Sequence, residues 1–296
     1  MADLKNDEET STGFKKLVLR DIAESWNPKI ARHIPRFVYR KINKILHIDE
    51  LNAFLSETHN DDTQVFLDKA VAFFDLKIRF NGFDKIEAQK GNGDLFIVAN
   101  HPIGGPEGIA LVDKVLPLMP DVKIMIQKLL AAVHPMRKIS VYNGSRLITT
   151  LESVKKGDPV ILFPAGFCSR RLKHRRLIYD LKWKSTFIKL SQRYGRTVLP
   201  IHISGRLSER MYRWYSFRRA LHIKLQIETL FLVDEMFKCK GSELVFTVGN
   251  PIAPETFSCN ADPDEWAARV RQYVFQLGSD PDAKFDPDLP DSLPSD

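Results

Sequence analysis

Short apolar runs alternate with helical stretches from about residue 76 to residue 278. Eight of these runs are rich in β-branched and aromatic residues and predict strands: Lys77–Phe80, Leu95–Ala99, Val122–Ile126, Ile139–Tyr142, Val160–Phe163, Val198–Ile203, Leu225–Leu232 and Leu244–Val248. Helices are predicted between and after them, at residues 108–116, 145–156, 182–194, 207–221 and 263–276. This alternation is typical of an α/β domain in which helices flank a mixed sheet, and we assign that domain to residues 76–278.

A helical segment is predicted before this domain, over residues 13–75. Apolar residues recur there at helical spacing after Pro35, which suits a first helical turn, and again from Val65 to Phe74. Basic residues lie between the apolar ones of the first pattern, so this helix either packs on the body or lies on a membrane surface. Residues 1–12 and 279–296 are polar or rich in Pro and Asp, which predicts disordered tails.

The charge balance indicates an anionic partner. There are 44 Lys and Arg residues against 37 Asp and Glu residues, a net charge of +7. No nucleic-acid-binding module is recognisable, so lipid headgroups or phosphorylated carriers are favoured. Three widely spaced cysteines indicate neither disulfides nor zinc, and no run approaches the roughly 20 apolar residues of a membrane span. We therefore expect a cytoplasmic protein, in which any membrane contact is peripheral.

The segment from Asn100 to Gly108 carries the most informative chemistry. His101 leaves the carboxyl end of a predicted buried strand, and Glu107 falls in the first turn of the next helix, where open α/β sheets bind ligands. A histidine can accept the proton of a hydroxyl at neutral pH, and a carboxylate can orient its ring. Backbone amides of residues 104–108 are candidates to stabilise an oxyanion. On the local pattern alone, a capped turn explains the same residues.

Two further predicted strands end in residues suited to anions. Val160–Phe163 is followed by a glycine turn and then by Ser169, Arg170 and Arg171, and guanidinium groups bind phosphate oxygens through paired hydrogen bonds. The run Val198–Ile203 is followed by Ser204-Gly205-Arg206. We expect the three strand ends to converge on one pocket. A solvated basic face is the alternative for the arginines, and a lone cysteine such as Cys168 is more often an apolar filler than a nucleophile.

These three motifs, in this order, resemble those of the glycerolipid and lysophospholipid acyltransferase family. The family's first motif is a His followed by a carboxylate, its third is Phe-Pro-Glu-Gly-Thr-Arg-Ser, and its fourth is a strand that carries a proline. They are echoed by His101 with Glu107, by Phe163–Arg170 and by Val198–Ile201, and the resemblance covers roughly residues 76–255. Asp180-Leu181-Lys182-Trp183 is similar to a bacterial branch labelled putative hemolysin or glycerol acyltransferase, which includes enzymes linked to aminoacyl lipids.

Three departures from the family pattern bear on the substrate. Five residues separate His101 from its acid, which is Glu107 where Asp is usual. Ala165 stands where the third motif has Glu, which weakens the case for lysophosphatidic acid as acceptor. The second motif, with its arginine, is matched only loosely at Arg146.

The resemblance implies an O-acyltransferase that moves a fatty acyl group from acyl carrier protein or coenzyme A to a hydroxyl of a lysophospholipid or lyso-aminoacyl lipid. His101 would be the general base and Glu107 its orienting partner, with no cofactor or metal. The implied substrate-binding residues are Gly104, Gly105, Phe163, Pro164, Gly166, Ser169, Arg170, Arg171, Pro200 and Gly205. Two alternatives stay open: a non-catalytic basic membrane-binding module, and a thioesterase or lipid hydrolase.

Overall fold

A computed structural model describes residues 14, 16–26, 28–127, 133–143, 147–171, 177–221, 231–257 and 261–289. The helices are α1 (Leu19–Trp26), α2 (Pro28–His33), α3 (Arg36–Ile45), α4 (Ile48–Glu57), α5 (Thr63–Phe73), α6 (Asp84–Glu87), α7 (Pro106–Val115), α8 (Leu147–Lys156), α9 (Thr186–Tyr194), α10 (Glu209–Ala220), α11 (Leu232–Lys238) and α12 (Pro263–Leu277). The strands are β1 (Lys77–Asn81), β2 (Leu95–Ala99), β3 (Lys123–Gln127), β4 (Ser140–Asn143), β5 (Val160–Leu162), β6 (Arg170–Arg171), β7 (Ile178–Tyr179), β8 (Thr197–Ile203) and β9 (Glu243–Val248). The predicted tail at residues 1–12 and the second-motif candidate Arg146 lie outside the described residues.

Seven strands form the main sheet in the order β1-β9-β8-β2-β5-β3-β4. Neighbours run parallel except β8 and β9, which are antiparallel, so the predicted mixed sheet flanked by helices is confirmed. The central strand β2 is buried on both faces. Leu95, Ile97 and Ala99 belong to the core on one face, and Phe96 and Val98 belong to the core on the other. Successive side chains of a strand point to opposite faces, which explains why this run is apolar throughout.

The register of the central strands explains where the motifs meet. β2 lies between β5 and β8, parallel to both, and Val98 pairs with Leu162 on one side and with Pro200 on the other. The carboxyl ends of parallel neighbours lie at the same edge of a sheet. His101, the turn after β5 and the loop after β8 therefore emerge side by side, and the predicted convergence of three strand ends is confirmed.

The N-terminal helices pack on the same body as the sheet. Phe54, Phe66 and Leu67, from α4 and α5, belong to the core that covers one face of the sheet. α3 places Ile42 and Ile45 against a smaller apolar cluster formed by three buried side chains, Leu19, Leu46 and Ile48. Packing therefore uses most of the apolar stripe of α3. None of the described helices combines the length and the apolarity needed to cross a bilayer.

Two segments differ from the sequence predictions. The predicted strand Leu225–Leu232 is wrong at its described end, because Leu232 begins α11, while residues 225–230 lie outside the described residues. The reason is that Leu232 and Met236 pack on the core from one face of a helix.

The segment from Ser279 differs from the predicted disordered tail as far as Leu289, because it lies along α12. The rings of Phe285 and Tyr273 have centroids 5.6 Å apart, and the Tyr273 hydroxyl donates to the Ala283 carbonyl at 3.1 Å. One aromatic side chain thus anchors a stretch whose composition is otherwise that of a tail. Residues 290–296 lie outside the described residues.

Candidate active site

His101 and Glu107 face each other at the carboxyl edge of the sheet. The His101 Nδ1 atom lies 3.1 Å from Glu107 Oε1. The Glu107 side chain is fully buried, whereas that of His101 keeps 16% of its surface exposed. The contact lacks the alignment of a linear hydrogen bond, and it is an ion pair only when the ring is protonated. It forms because α7 begins immediately after the loop that carries His101, which returns the first helical turn towards the ring.

Backbone amides hold the Glu107 carboxylate in place. Its Oε1 atom accepts hydrogen bonds from the amides of Ile103 at 2.9 Å and Gly104 at 2.7 Å. Burial alone would raise the pKa of Glu107, but the contact with His101 and the two amide donors outweigh burial, and its pKa is lowered. The carboxylate is therefore ionised at neutral pH. The Gly104 amide, one of the candidates to stabilise an oxyanion, donates to Glu107 instead.

Phe163 fixes the plane of the histidine ring. The two rings stack with centroids 4.5 Å apart and planes inclined by 29°. The family resemblance implied that Phe163 binds substrate, and in the structure its ring contacts His101. Since Glu107 lies at Nδ1 and Phe163 covers a face of the ring, Nε2 is the ring atom left to meet a substrate.

A second buried carboxylate, Asp180, fixes the backbone of His101. Its Oδ1 atom accepts from the His101 amide at 3.2 Å and from the Ser169 hydroxyl at 2.6 Å, and its Oδ2 atom accepts from Trp183 Nε1 at 2.8 Å. The Ser169 amide donates in turn to the His101 carbonyl at 2.7 Å. Burial raises the pKa of Asp180, although Ser169, Trp183 and His101 act to lower it. Both backbone polar groups of the histidine are thus bound.

Two of these positioning residues were not predicted as site residues. Asp180 belongs to the segment Asp180-Leu181-Lys182-Trp183, which indicated the family but not what Asp180 does. Asn100, next to the histidine, joins the ends of two strands: its Nδ2 donates to the Ile203 carbonyl at 2.9 Å and its Oδ1 accepts from the Ile203 amide at 2.6 Å. The feature of the sequence that could have indicated this role is the position of Asn100 directly after a buried strand.

The predicted glycines serve close packing. Gly104 has a positive φ of +130°, and a Cβ atom there would lie 3.1 Å from Cys168 Sγ. A Cβ on Gly105 would approach Met236 to 2.7 Å. A side chain at Gly104 would be strained by its backbone conformation, and one at Gly105 would require the end of the Met236 side chain to move. Gly205 has the same constraint, since its Cβ would lie 2.8 Å from Ile103 Cδ1.

Other predicted substrate residues form the turn after β5 and the strand β8. The turn closes through a hydrogen bond from the Gly166 amide to the Phe163 carbonyl at 2.9 Å, and the Pro164 carbonyl accepts from the Lys184 amide at 3.1 Å. Pro200 lies inside β8, three residues before the strand ends, which is roughly 10 Å along a strand. The structure therefore does not bring Pro200 to the ring of His101.

The two predicted anion-binding arginines point to α10. Arg171 donates both of its short bonds to Glu209, at 2.7 Å and 2.8 Å, and these bonds lower the pKa of Glu209. Arg206 contacts the same carboxylate. The guanidinium of Arg170 lies over the ring of Tyr215, 4.5 Å from its centroid. Arg171 is thus paired within the protein, and one carboxylate lies between two guanidinium groups. The remaining basic residues of this run, 172–176, lie outside the described residues.

A cavity of about 400 Å³ lies beside the histidine, within the size range of small-ligand sites. Its walls include Pro102, Ser169, Tyr179, His202, Gly205 and Phe275. Burial lowers the pKa of His202 to about 4, so this side chain is neutral at pH 7. The described part of the lining is therefore uncharged, and it includes Asn100 and Pro102, the two sequence neighbours of His101.

Cys168 is a buried packing residue. Its thiol donates to the Ile103 carbonyl at 3.3 Å, and burial raises its pKa well above the ordinary value. A thiol held in this form is a poor nucleophile, which argues against a cysteine hydrolase. Among the residues that the structure describes, no three His, Cys, Asp or Glu side chains are grouped so as to hold a metal ion.

Comparison with known proteins identifies the family. A family profile described as Acyltransferase matches residues 20–283. Two curated proteins named lyso-glycine lipid O-acyltransferase are similar to this chain: that of Bacteroides thetaiotaomicron is 35% identical over 262 residues, covering 84% of this chain and 93% of the relative. That of Phocaeicola vulgatus is 34% identical over 255 residues, covering 83% and 89%. The chain therefore belongs to the acyltransferase family, and the resemblance drawn from the motifs is confirmed.

Among solved structures, the 1-acyl-sn-glycerophosphate (LPA) acyltransferase of Thermotoga maritima matches with a TM-score of 0.48 and 16% identity. The match covers 87% of this chain and 89% of that one.

Proposed function

We propose that this protein transfers a fatty acyl group from a thioester carrier, acyl carrier protein or coenzyme A, to the hydroxyl of a lyso-lipid with an amino-acid headgroup. The observation that carries the proposal is the ring of His101, held by Glu107 and Phe163 with Nε2 left for a substrate. The names of the two relatives support the acceptor class, since both are lyso-glycine lipid O-acyltransferases and the match spans most of their length.

The proposed reaction uses His101 as a general base. Nε2 takes the proton of the acceptor hydroxyl as its oxygen attacks the thioester carbonyl, and a carbon–oxygen bond forms. When the tetrahedral intermediate collapses, the carbon–sulfur bond breaks and the imidazolium returns the proton to the leaving thiolate. Glu107 stabilises the imidazolium between these steps. The nucleophile belongs to the acceptor, so no acyl-enzyme forms.

Two features support a headgroup without phosphate. Ala165 replaces the acidic residue of the family's third motif. Among the residues that the structure describes, the lining of the cavity beside His101 also holds no charged side chain.

The acceptor and product are lipids, so the enzyme acts at a membrane surface. The net charge of +7 favours the anionic inner face of the cell membrane, and we propose a peripheral, cytoplasmic location there.

Lipid mass spectrometry of the purified protein tests the function. The protein is given acyl carrier protein or coenzyme A thioesters and three acceptors: lyso-glycine lipid, lysophosphatidic acid and lysophosphatidylethanolamine. We expect a doubly acylated glycine lipid, lost in His101→Ala and kept in His134→Ala, an exposed histidine outside the site. Free fatty acid without a new lipid would indicate a hydrolase. Vesicle binding without turnover would indicate a membrane-binding module.

A further inference from the structure

α10 is apolar on two opposite faces. Its inner face is buried in the body through Met211, Tyr212 and Tyr215. Its outer face, with the turn that follows, carries three exposed large side chains, Trp214 (49% exposed), Phe217 (55%) and Leu221 (54%). We call these three residues the α10 stripe. Their spacing of three and four residues places them in one row along the helix. Such a row on the outside of a protein marks an interaction surface.

Basic residues border the α10 stripe. Arg210 and Arg213 lie on the same side of the helix at 100° per residue, and Arg213 is exposed. Arg210 contacts Asp234, which fixes one end of the row. An exposed apolar row flanked by arginines is the pattern of a helix that lies in the plane of an anionic membrane, and Trp is favoured at that interface. The charge of the surface therefore matches lipid headgroups.

The N-terminal helix α3 carries further positive charge and is linked to α10 through Phe231. Phe231 packs against the cluster of Leu46 and Ile48 and stacks on Trp214 with planes inclined by 10°. The carboxyl end of α3 and the α10 stripe are thus linked through one ring. α3 keeps four basic side chains exposed, Arg36, Arg40, Lys41 and Lys44. Its own apolar side is largely packed, which leaves Phe37, 65% exposed, as its outward apolar residue.

The inner face of α10 supports the candidate active site. Tyr215 lies under Arg170, and Glu209 holds Arg171, so the helix is fastened to the strand that follows Ser169. The Tyr212 hydroxyl accepts a hydrogen bond from the Leu207 amide at 3.0 Å, in the loop after β8. A bilayer on the outer face of α10 would therefore lie one helix diameter, roughly 10 Å, from the loops that surround His101.

We propose that the α10 stripe docks this protein on an anionic bilayer, with Trp214, Phe217 and Leu221 among the acyl chains and the flanking arginines at the headgroups. This inference rests on the proposed lipid substrate, since it gives the route by which the acceptor reaches the site. Docking itself requires no turnover. It can therefore be tested separately from the reaction.

The test measures sedimentation of the full chain with vesicles of equal parts phosphatidylcholine and phosphatidylglycerol. The triple variant Trp214→Ser, Phe217→Ser, Leu221→Ser is expected to partition about a hundredfold more weakly, each half-exposed apolar side chain contributing roughly a factor of five. Val65→Ser, at a residue 45% exposed on α5, is the matched control and should bind normally. Phe37→Ser, on the exposed side of α3, should weaken vesicle binding by less than about tenfold.

Three results would overturn the docking proposal. The first is normal vesicle binding by a folded triple variant, and the second is loss of binding through Phe37→Ser alone. The third is a sedimentation-velocity experiment in which the unmodified chain is a dimer and the triple variant is a monomer. The last would assign the stripe to a second copy of the chain. Acyl transfer to lyso-lipid in detergent micelles keeps the two proposals apart, because a docking variant should retain that activity and an inactive protein can still bind vesicles.

Discussion

Replacing Glu107 with Gln would remove the charge that faces His101 while keeping the shape of the side chain. The amide oxygen of Gln can still accept from the Ile103 and Gly104 amides, which now bind Oε1. It also stays 3.1 Å from Nδ1, so the ring keeps its orientation. The other carboxylate oxygen, Oε2, accepts no hydrogen bond from the described residues, so the new amide group opposes no donor there. We expect Glu107→Gln to fold.

The size of the effect follows from the distance. Two unit charges 3.1 Å apart interact by about 5 kcal/mol at an effective dielectric constant of about 20. With about half of a positive charge on the ring in the transition state, the loss is about 2.5 kcal/mol, or roughly 70-fold in kcat. KM should change little, because the carboxylate is buried behind the base. Continuous measurement of thiol release, with product checked by mass spectrometry, gives both constants.

The matched variant is Glu107→Asp, which keeps the charge but withdraws it from the ring and the amides by one methylene. It should melt at a lower temperature than Glu107→Gln, since the Ile103 and Gly104 amides lose their acceptor. A Glu107→Gln enzyme with kcat within about threefold of the unmodified enzyme would refute electrostatic stabilisation of the imidazolium.

Three further predictions concern the surroundings of the base. Asp180→Asn places the new NH₂ group opposite a buried donor, Trp183 Nε1. The free energy of unfolding in urea should therefore fall by about 1–3 kcal/mol, and kcat should fall as well. Lys182→Ala, at an exposed residue, should change neither quantity. His202 has its pKa lowered to about 4, so the folded state binds fewer protons than the unfolded state between pH 6.5 and 4, and stability falls as pH falls through that window. From pH 7 to pH 5 the loss is about 2 kcal/mol, and His202→Gln should abolish it; an unchanged slope would exclude His202 as its source. Cys168→Ala should keep kcat within a few-fold because the thiol only packs against the loop, and an inactive but folded variant would contradict that assignment.

Most strands were predictable because a parallel strand that is buried on both faces is apolar at every position. β2, apolar at all five positions, is the clearest example. The run that ends at Leu232 was wrongly predicted to be a strand at that end, because a short apolar run is also compatible with a buried helix. The segment after Ser279 was misjudged because composition alone does not reveal that Phe285 finds the ring of Tyr273.

In the candidate site, the predictable part was local in sequence. His101 and Glu107 are six residues apart, so a strand end and a first helical turn suffice to place them together. Asp180 lies 79 residues from the amide that it binds, and Glu209 lies 38 residues from Arg171, so neither contact has a local signature. The arginines therefore seemed open to an anion, although one of them is paired within the protein.

In the proposed reaction, the different roles of the two buried carboxylates explain how His101 can act as a base without a protein nucleophile. Glu107 acts on the ring of His101 and Asp180 acts on its backbone, so the imidazole is fixed before a substrate binds. Fixing the base in advance removes from the transition state the entropy cost of aligning it. The acceptor hydroxyl must then be positioned by other means, and a lipid held at a membrane surface has already lost much of its freedom. The reaction requires the base and the acceptor hydroxyl to be aligned with each other. The protein positions His101, and the proposed docking at the α10 stripe would position the acceptor lipid at the bilayer.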